Sequence, residues 1–145
     1  MEQKPFIARF RICFVETDAG QVVHFSNYFR YFERTEEEFF HKIGLGGYSY
    51  LKRERHGMPR VFASCKYTSP MRLDEEIEVH LTIEQLREKE IQYKFLIHNL
   101  TTNKIAAEGA LSAIWLDLKK WETIPIPKDV RKLFTSFMDG TLTLT

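Results

Sequence analysis

Cysteine is scarce: the 145 residues hold only Cys13 and Cys65, too few and too isolated for a disulfide framework. Both sit in alternating segments without metal-ligand spacing, so two free thiols and a reducing compartment, the cytoplasm, are expected. A surplus of charge is lacking too. Lys and Arg number 21 against 20 Asp and Glu, a net charge of +1, which leaves no basic stripe for a nucleic-acid partner. No apolar run approaches membrane-spanning length, and the opening MEQKPF has no signal-peptide core, so no membrane partner is expected. Histidines 24, 41, 56, 80 and 98 are scattered without zinc-ligand spacing, so no metal and no resident cofactor are expected. GLGG at 44–47 follows no strand and reads as a helix end rather than a phosphate loop. No nucleophile elbow, serine triad pattern, repeat or low-complexity block occurs.

What is abundant is aromatic. Twelve Phe, six Tyr and two Trp predict an aromatic core or pocket. Residues 6–15 alternate, with Phe6, Ala8, Phe10, Ile12 and Phe14 on one side and Arg9 and Arg11 on the other, which predicts a strand. A loop holding Asp18 and Gly20 follows. Then a helix is predicted from about Ser26 to Ile43, with Phe29, Phe32, Phe39, Phe40 and Ile43 at helical spacing and Thr35 and Glu36 interrupting the stripe. Ser26 is the expected N-cap and Gly44 the expected stop. A polar segment, YLKRERHGMP, leads out of it.

From there the pattern is that of antiparallel strands at 60–68, 76–86, 90–98 and 104–117, joined mainly by short turns. Pro125 and Pro127 end the last strand and open a short amphipathic helix burying Val130, Leu133, Phe134 and Phe137, and residues 139–145 form a tail expected to fray. One domain of α+β class follows: about five antiparallel strands wrapped around one long central helix, plus a short C-terminal helix. Such a sheet has edges that a second copy can protect, so a homodimer or homotetramer is expected.

The run ETDAGQVVHFSNYFRYFER resembles the signature of hot-dog-fold acyl-CoA thioesterases of the 4-hydroxybenzoyl-CoA thioesterase type. YTSPMRLDEEIEV resembles that family's aromatic-x-x-Pro strand entry, and the likeness in pattern covers about residues 6–131. The resemblance implies that Asp18 is the catalytic carboxylate, that Tyr28 is the helix tyrosine, and that the backbone N–H near Phe25 polarises the thioester carbonyl. Three departures stand out: Gln21 where glycine is usual, His24-Phe25 in place of Tyr-His, and Thr35-Glu36 in place of Ala-Arg. None touches the carboxylate or the amide.

The chemistry of the residues agrees. Thioester cleavage needs an attacking oxygen and stabilisation of the oxyanion, but no acid for the leaving group, because a thiol of pKa ~8.5 departs as thiolate. Asp18 would act as general base on water or as nucleophile, and the first free helix amides at Phe25, Ser26 and Asn27 would receive the oxyanion. His24 is weighed as pocket lining against polar loop filler, Ser64 as holder of the attacking water against an ordinary strand serine, and Glu33 as a substrate neighbour against a solvated helix carboxylate. Tyr28 is read as packing with a polar tip. Phe25, Phe29, Phe32 and Phe62 are expected to line the acyl pocket. Arg53, Arg55 and Arg72 are weighed as contacts for coenzyme A phosphates against a solvated basic face. The expected partner is an acyl-CoA, with acyl carrier protein as the other possible thioester carrier. A hot-dog hydratase would carry Asp and His five apart around a proline, whereas Asp18 and His24 are six apart with AGQVV between them. A non-catalytic acyl-binding domain is the remaining alternative.

Overall fold

The computed structural model describes residues 3–142. Strand β1 (Phe6–Arg11) is shorter than the predicted 6–15. Alternation carries it as far as Arg11. The Ile12 N–H then donates to the Glu75 carbonyl at 2.9 Å, and Phe14–Glu16 wind into a 3-10 turn. Glu16 closes that turn by accepting the Cys13 N–H on its carboxylate at 2.8 Å, which leaves Phe14 78% exposed instead of on the apolar face.

Helix α1 (Asn27–Lys42) is about 24 Å long at the usual rise per residue. Ser26 precedes it but is no side-chain cap: its backbone is already helical, and its hydroxyl is paired with His24 Nδ1 at 2.8 Å. Gly44 stops the helix with φ +100°, and the Leu45 N–H returns to the Phe40 carbonyl. Thr35 and Glu36, which break the stripe in the sequence, are both fully buried. The Thr35 hydroxyl donates to the Tyr31 carbonyl at 2.7 Å, and Glu36 has a cationic partner on the sheet.

The polar exit segment is more ordered than its composition predicts. It contains helix α2 (Ser49–Glu54) and strand β2 (His56–Gly57), joined by Arg55 in the left-handed region at φ 56°. Strands β3 (Arg60–Tyr67), β4 (Glu76–Leu86), β5 (Glu90–Asn99) and β6 (Lys104–Ile114) follow near their predicted places. The last strand, predicted over 104–117, breaks at Trp115, whose indole N–H donates to His56 Nδ1 at 3.0 Å. Beyond it β7 (Leu116–Asp117) leaves the main sheet and joins β2 and β8 (Glu122–Thr123) in a three-stranded ribbon.

The main sheet is antiparallel in the order β1-β4-β5-β6-β3. Its inner face wraps α1 as expected: Phe95 stacks on Phe32 at 4.6 Å, and Gly109 lies so close beneath the same ring that any Cβ would clash with it. Helix α3 (Lys128–Met138) closes the far end, with Phe137 and Phe134 against Phe39 at centroid distances of 4.7 and 6.2 Å. Val130, Phe134 and Phe137 are buried and Leu133 is half-buried. In the described part of the expected tail the Thr141 and Leu142 N–H groups both donate to the Ser136 carbonyl, and Leu142 packs against the core. Residues 143–145 of that expected tail lie outside the described residues. Edge strand β3 leaves Val61, Phe62 and Tyr67 exposed. Among the described residues no helix is long and apolar enough to cross a membrane.

Candidate active site

Glu16 organises the junction between the 3-10 turn and α1. Its Oε1 accepts the Cys13 N–H and the Tyr31 hydroxyl, and its Oε2 lies 3.8 Å from the Arg34 guanidinium. Its main-chain carbonyl accepts the His24 N–H at 2.9 Å and the Asn27 side-chain amide at 2.8 Å. Both ends of the intervening loop are therefore fixed to one residue. A Thr17–Val23 bridge and the Asp18 N–H to Val22 carbonyl bond at 2.9 Å close the loop further.

Inside that loop Asp18 Oδ1 accepts the Gly20 N–H at 2.8 Å, the side-chain-to-backbone pairing of an Asx turn. Gln21, where glycine is usual, takes the left-handed region at φ 63°, which a side chain tolerates at a cost of ~1 kcal/mol. The carboxylate is exposed and lines an open cleft of about 620 Å³ together with Phe14, Thr17, Arg72 and Leu73.

The helix-start amides are not equivalent. The Asn27 N–H donates to the His24 carbonyl at 2.9 Å, and the Ser26 N–H donates to His24 Nδ1 at 3.3 Å. Among the described residues the Phe25 N–H alone of the three has no acceptor. It belongs to the same peptide unit as the His24 carbonyl, which already accepts a helix amide. That bond polarises the unit and strengthens its free N–H as a donor.

The other predicted residues divide by position. Tyr28 is buried beneath Tyr67, and its hydroxyl is pushed up to about 12, first by burial and then by Cys65 and Tyr67. It keeps its proton at neutral pH. Burial likewise pushes the Cys65 thiol up. Phe32 is wholly buried in the core, so it does not line an open pocket. Ser64 and Phe62 pair with Ala110 and Ser112, while Cys65 pairs with Gly109 beneath α1. Alternation therefore turns Ser64 and Phe62 to the outer face of the sheet, away from Phe25 of the same chain. Glu33 is exposed and lies 3.7 Å from Arg60. Arg72 lies in the Asp18 cleft. Arg55, whose carbonyl accepts the Leu118 N–H, lies at the sheet end where Arg60 pairs with Ala113, and Arg53 stands over the Tyr50 ring in the adjoining α2, whereas the Asp18 loop hangs from the opposite end through the Val23 N–H to Met71 carbonyl bond.

Two residues escaped the sequence reading. Glu16 directly precedes Thr17-Asp18, and Tyr67 opens the second motif, so both lie within the two sequence motifs. Their roles depend on partners that are distant in the chain.

A profile described as the thioesterase-like superfamily matches residues 14–134. A protein of Aquifex aeolicus is 36% identical over 128 residues, covering 87% of this chain and 94% of its own. The acyl-CoA thioester hydrolase YbgC of Escherichia coli is 25% identical over 120 residues, covering 83% of this chain and 88% of its own. In fold the chain resembles Slr0204, a 1,4-dihydroxy-2-naphthoyl-CoA thioesterase from Synechocystis, with a TM-score of 0.83 at 18% identity over 90% of this chain and 96% of that one.

Proposed function

The chain belongs to the thioesterase-like superfamily, and from that premise we propose that it hydrolyses an acyl-CoA thioester at the Asp18–Phe25 junction. The observation that carries this reading is the Phe25 N–H, the one of the three helix-start amides without an acceptor among the described residues, following a loop that presents an exposed carboxylate.

In this reading the thioester oxygen accepts the Phe25 N–H, which draws electron density from the carbonyl carbon. Asp18 either removes a proton from the attacking water or attacks directly to give a mixed anhydride that water then opens. The carbon–sulfur bond breaks and coenzyme A leaves as thiolate. Removing a dedicated oxyanion donor typically costs ~3 kcal/mol of barrier, so one amide matters. Phe14 and Leu73 would contact apolar parts of the substrate, and Arg72, lining the same cleft, would meet a phosphate.

A homodimer fits the exposed edge strand β3. Antiparallel pairing of two such edges about a two-fold axis would set the Arg60 end of one copy beside the Tyr67 end of the other. It would also carry Arg53 and Arg55 toward the partner's cleft. In this reading the acyl group is an aryl or a short to medium aliphatic chain, met by aromatic side chains such as the exposed Phe25.

Free thiol release from a panel of acyl-CoAs and acyl-carrier-protein thioesters tests the reading. Asp18→Asn is expected to keep the fold and to lower turnover by at least ~10²-fold. Near-wild-type turnover in that variant would reject the assignment. Binding of acyl-CoAs without thiol release by the unaltered protein would leave an acyl-binding domain instead.

A further inference from the structure

Tyr67 ends β3 and reaches back to the helix start 42 residues away, donating its hydroxyl to the Phe25 carbonyl at 3.0 Å. Its ring meets Tyr28 edge-on, with centroids 4.6 Å apart and planes at 85°. The strand end is itself fixed. Tyr67 pairs with Ala107, the Thr68 and Ser69 N–H groups donate to the Ala106 carbonyl, and both hydroxyls donate to the Ile105 carbonyl at 2.8 Å. Burial and the neighbouring Cys65 push the Tyr67 phenol up, so it remains a donor through the neutral range.

Phe25 joins two peptide units. The unit before it carries the free N–H and is held by the Asn27 N–H on the His24 carbonyl. The unit after it has its carbonyl held by the Tyr67 hydroxyl, with a long 3.4 Å bond from the Tyr28 N–H as the other donor. Fixing both units fixes the torsions about the Phe25 Cα, and with them the direction of the free N–H. Among the described residues, the one hydrogen bond to these two units from outside the loop and helix start comes from the edge of the sheet.

We propose that Tyr67 is a positioning residue for the Phe25 amide, holding the carbonyl of the same residue so that the N–H keeps the direction needed to meet a thioester oxygen. The inference rests on the hydrolase reading for its catalytic consequence, but not for the geometry itself. It also ties the oxyanion donor to strand β3, so a disturbance of that edge is transmitted to the site.

The test is Tyr67→Phe, which keeps the ring on Tyr28 and deletes the hydroxyl alone. Steady-state thiol release is expected to show kcat lowered about 10-fold with KM within about 2-fold, the pattern of a group acting on the transition state. In parallel, the Phe25 backbone amide is expected to shift in the nitrogen–proton NMR spectrum of the variant while core amides stay in place. A wild-type kcat, a change confined to KM, or a kcat loss with the Phe25 amide unmoved would each overturn the proposal. If the unaltered protein releases no thiol, the hydrolase reading fails by itself, and the Phe25 amide shift still decides whether Tyr67 sets that amide.

Discussion

The Arg60 guanidinium grips the Glu36 carboxylate with two hydrogen bonds, Nη2 to Oε1 at 2.6 Å and Nη1 to Oε2 at 3.2 Å. Glu36 is fully buried in the middle of α1, and the Tyr48 hydroxyl also donates to it. Arg60 begins the exposed edge strand, so this pair anchors β3 to the central helix at one end while Tyr67 does so at the other. Burial works against the Arg60 charge, but the paired Glu36 carboxylate outweighs it and holds the guanidinium in its charged form.

Breaking that pair at Glu36 leaves the mostly buried Arg60 charge with only the exposed Glu33 carboxylate beside it. Glu36→Leu is expected to cost about 3 kcal/mol, while Glu36→Leu combined with Arg60→Met recovers most of the loss, because two apolar side chains need no desolvation. Urea unfolding of the two single variants and the double variant checks the cycle. Additive losses in the double variant would contradict it.

Gly20 sits against the candidate carboxylate, and a Cβ there would lie 3.1 Å from Asp18 Oδ1. Gly20→Ala must therefore move Asp18 by a few tenths of an ångström. Turnover is expected to drop about 5-fold, a fraction of the loss a full ångström of misplacement brings, with the melting temperature little changed. Unaltered turnover would show that the Asx-turn geometry is not what aims the carboxylate.

Alkaline pH should unfold the protein through its buried phenols. Tyr28 and Tyr50 are both pushed up to about 12 from 10.0, chiefly by burial, and the Tyr31, Tyr48 and Tyr93 hydroxyls are raised in the same sense. The folded chain thus holds these protons more tightly than the unfolded one. Their contribution to stability is complete below pH 10 and is lost as pH climbs through 12. The urea midpoint should fall across that window, with tyrosinate absorbance of the folded protein lagging behind that of the denatured chain. A flat midpoint would contradict the burial of these rings.

Local order was legible in the residues themselves. Period-two alternation marks β4 and β5, the Phe32–Phe39–Phe40 spacing marks α1, and Gly44 marks its end, because each pattern is set by neighbours a few positions away. The stretch around Asp18 and Phe25 was equally visible, since the loop and the helix start are contiguous in the chain. Tertiary structure alone decided what crosses the chain. It buried Glu36 by bringing Arg60 from 24 residues away, turned Ser64 outward through the β3–β6 register, and closed the 3-10 turn by setting Tyr31 and Arg34 against Glu16. Periodicity says that a strand has two faces, but only the pairing of β3 with β6 under Phe32 says which one meets the helix. A polar residue in an apolar stripe carries no record of its partner, because the partner is fixed by where a distant strand comes to lie.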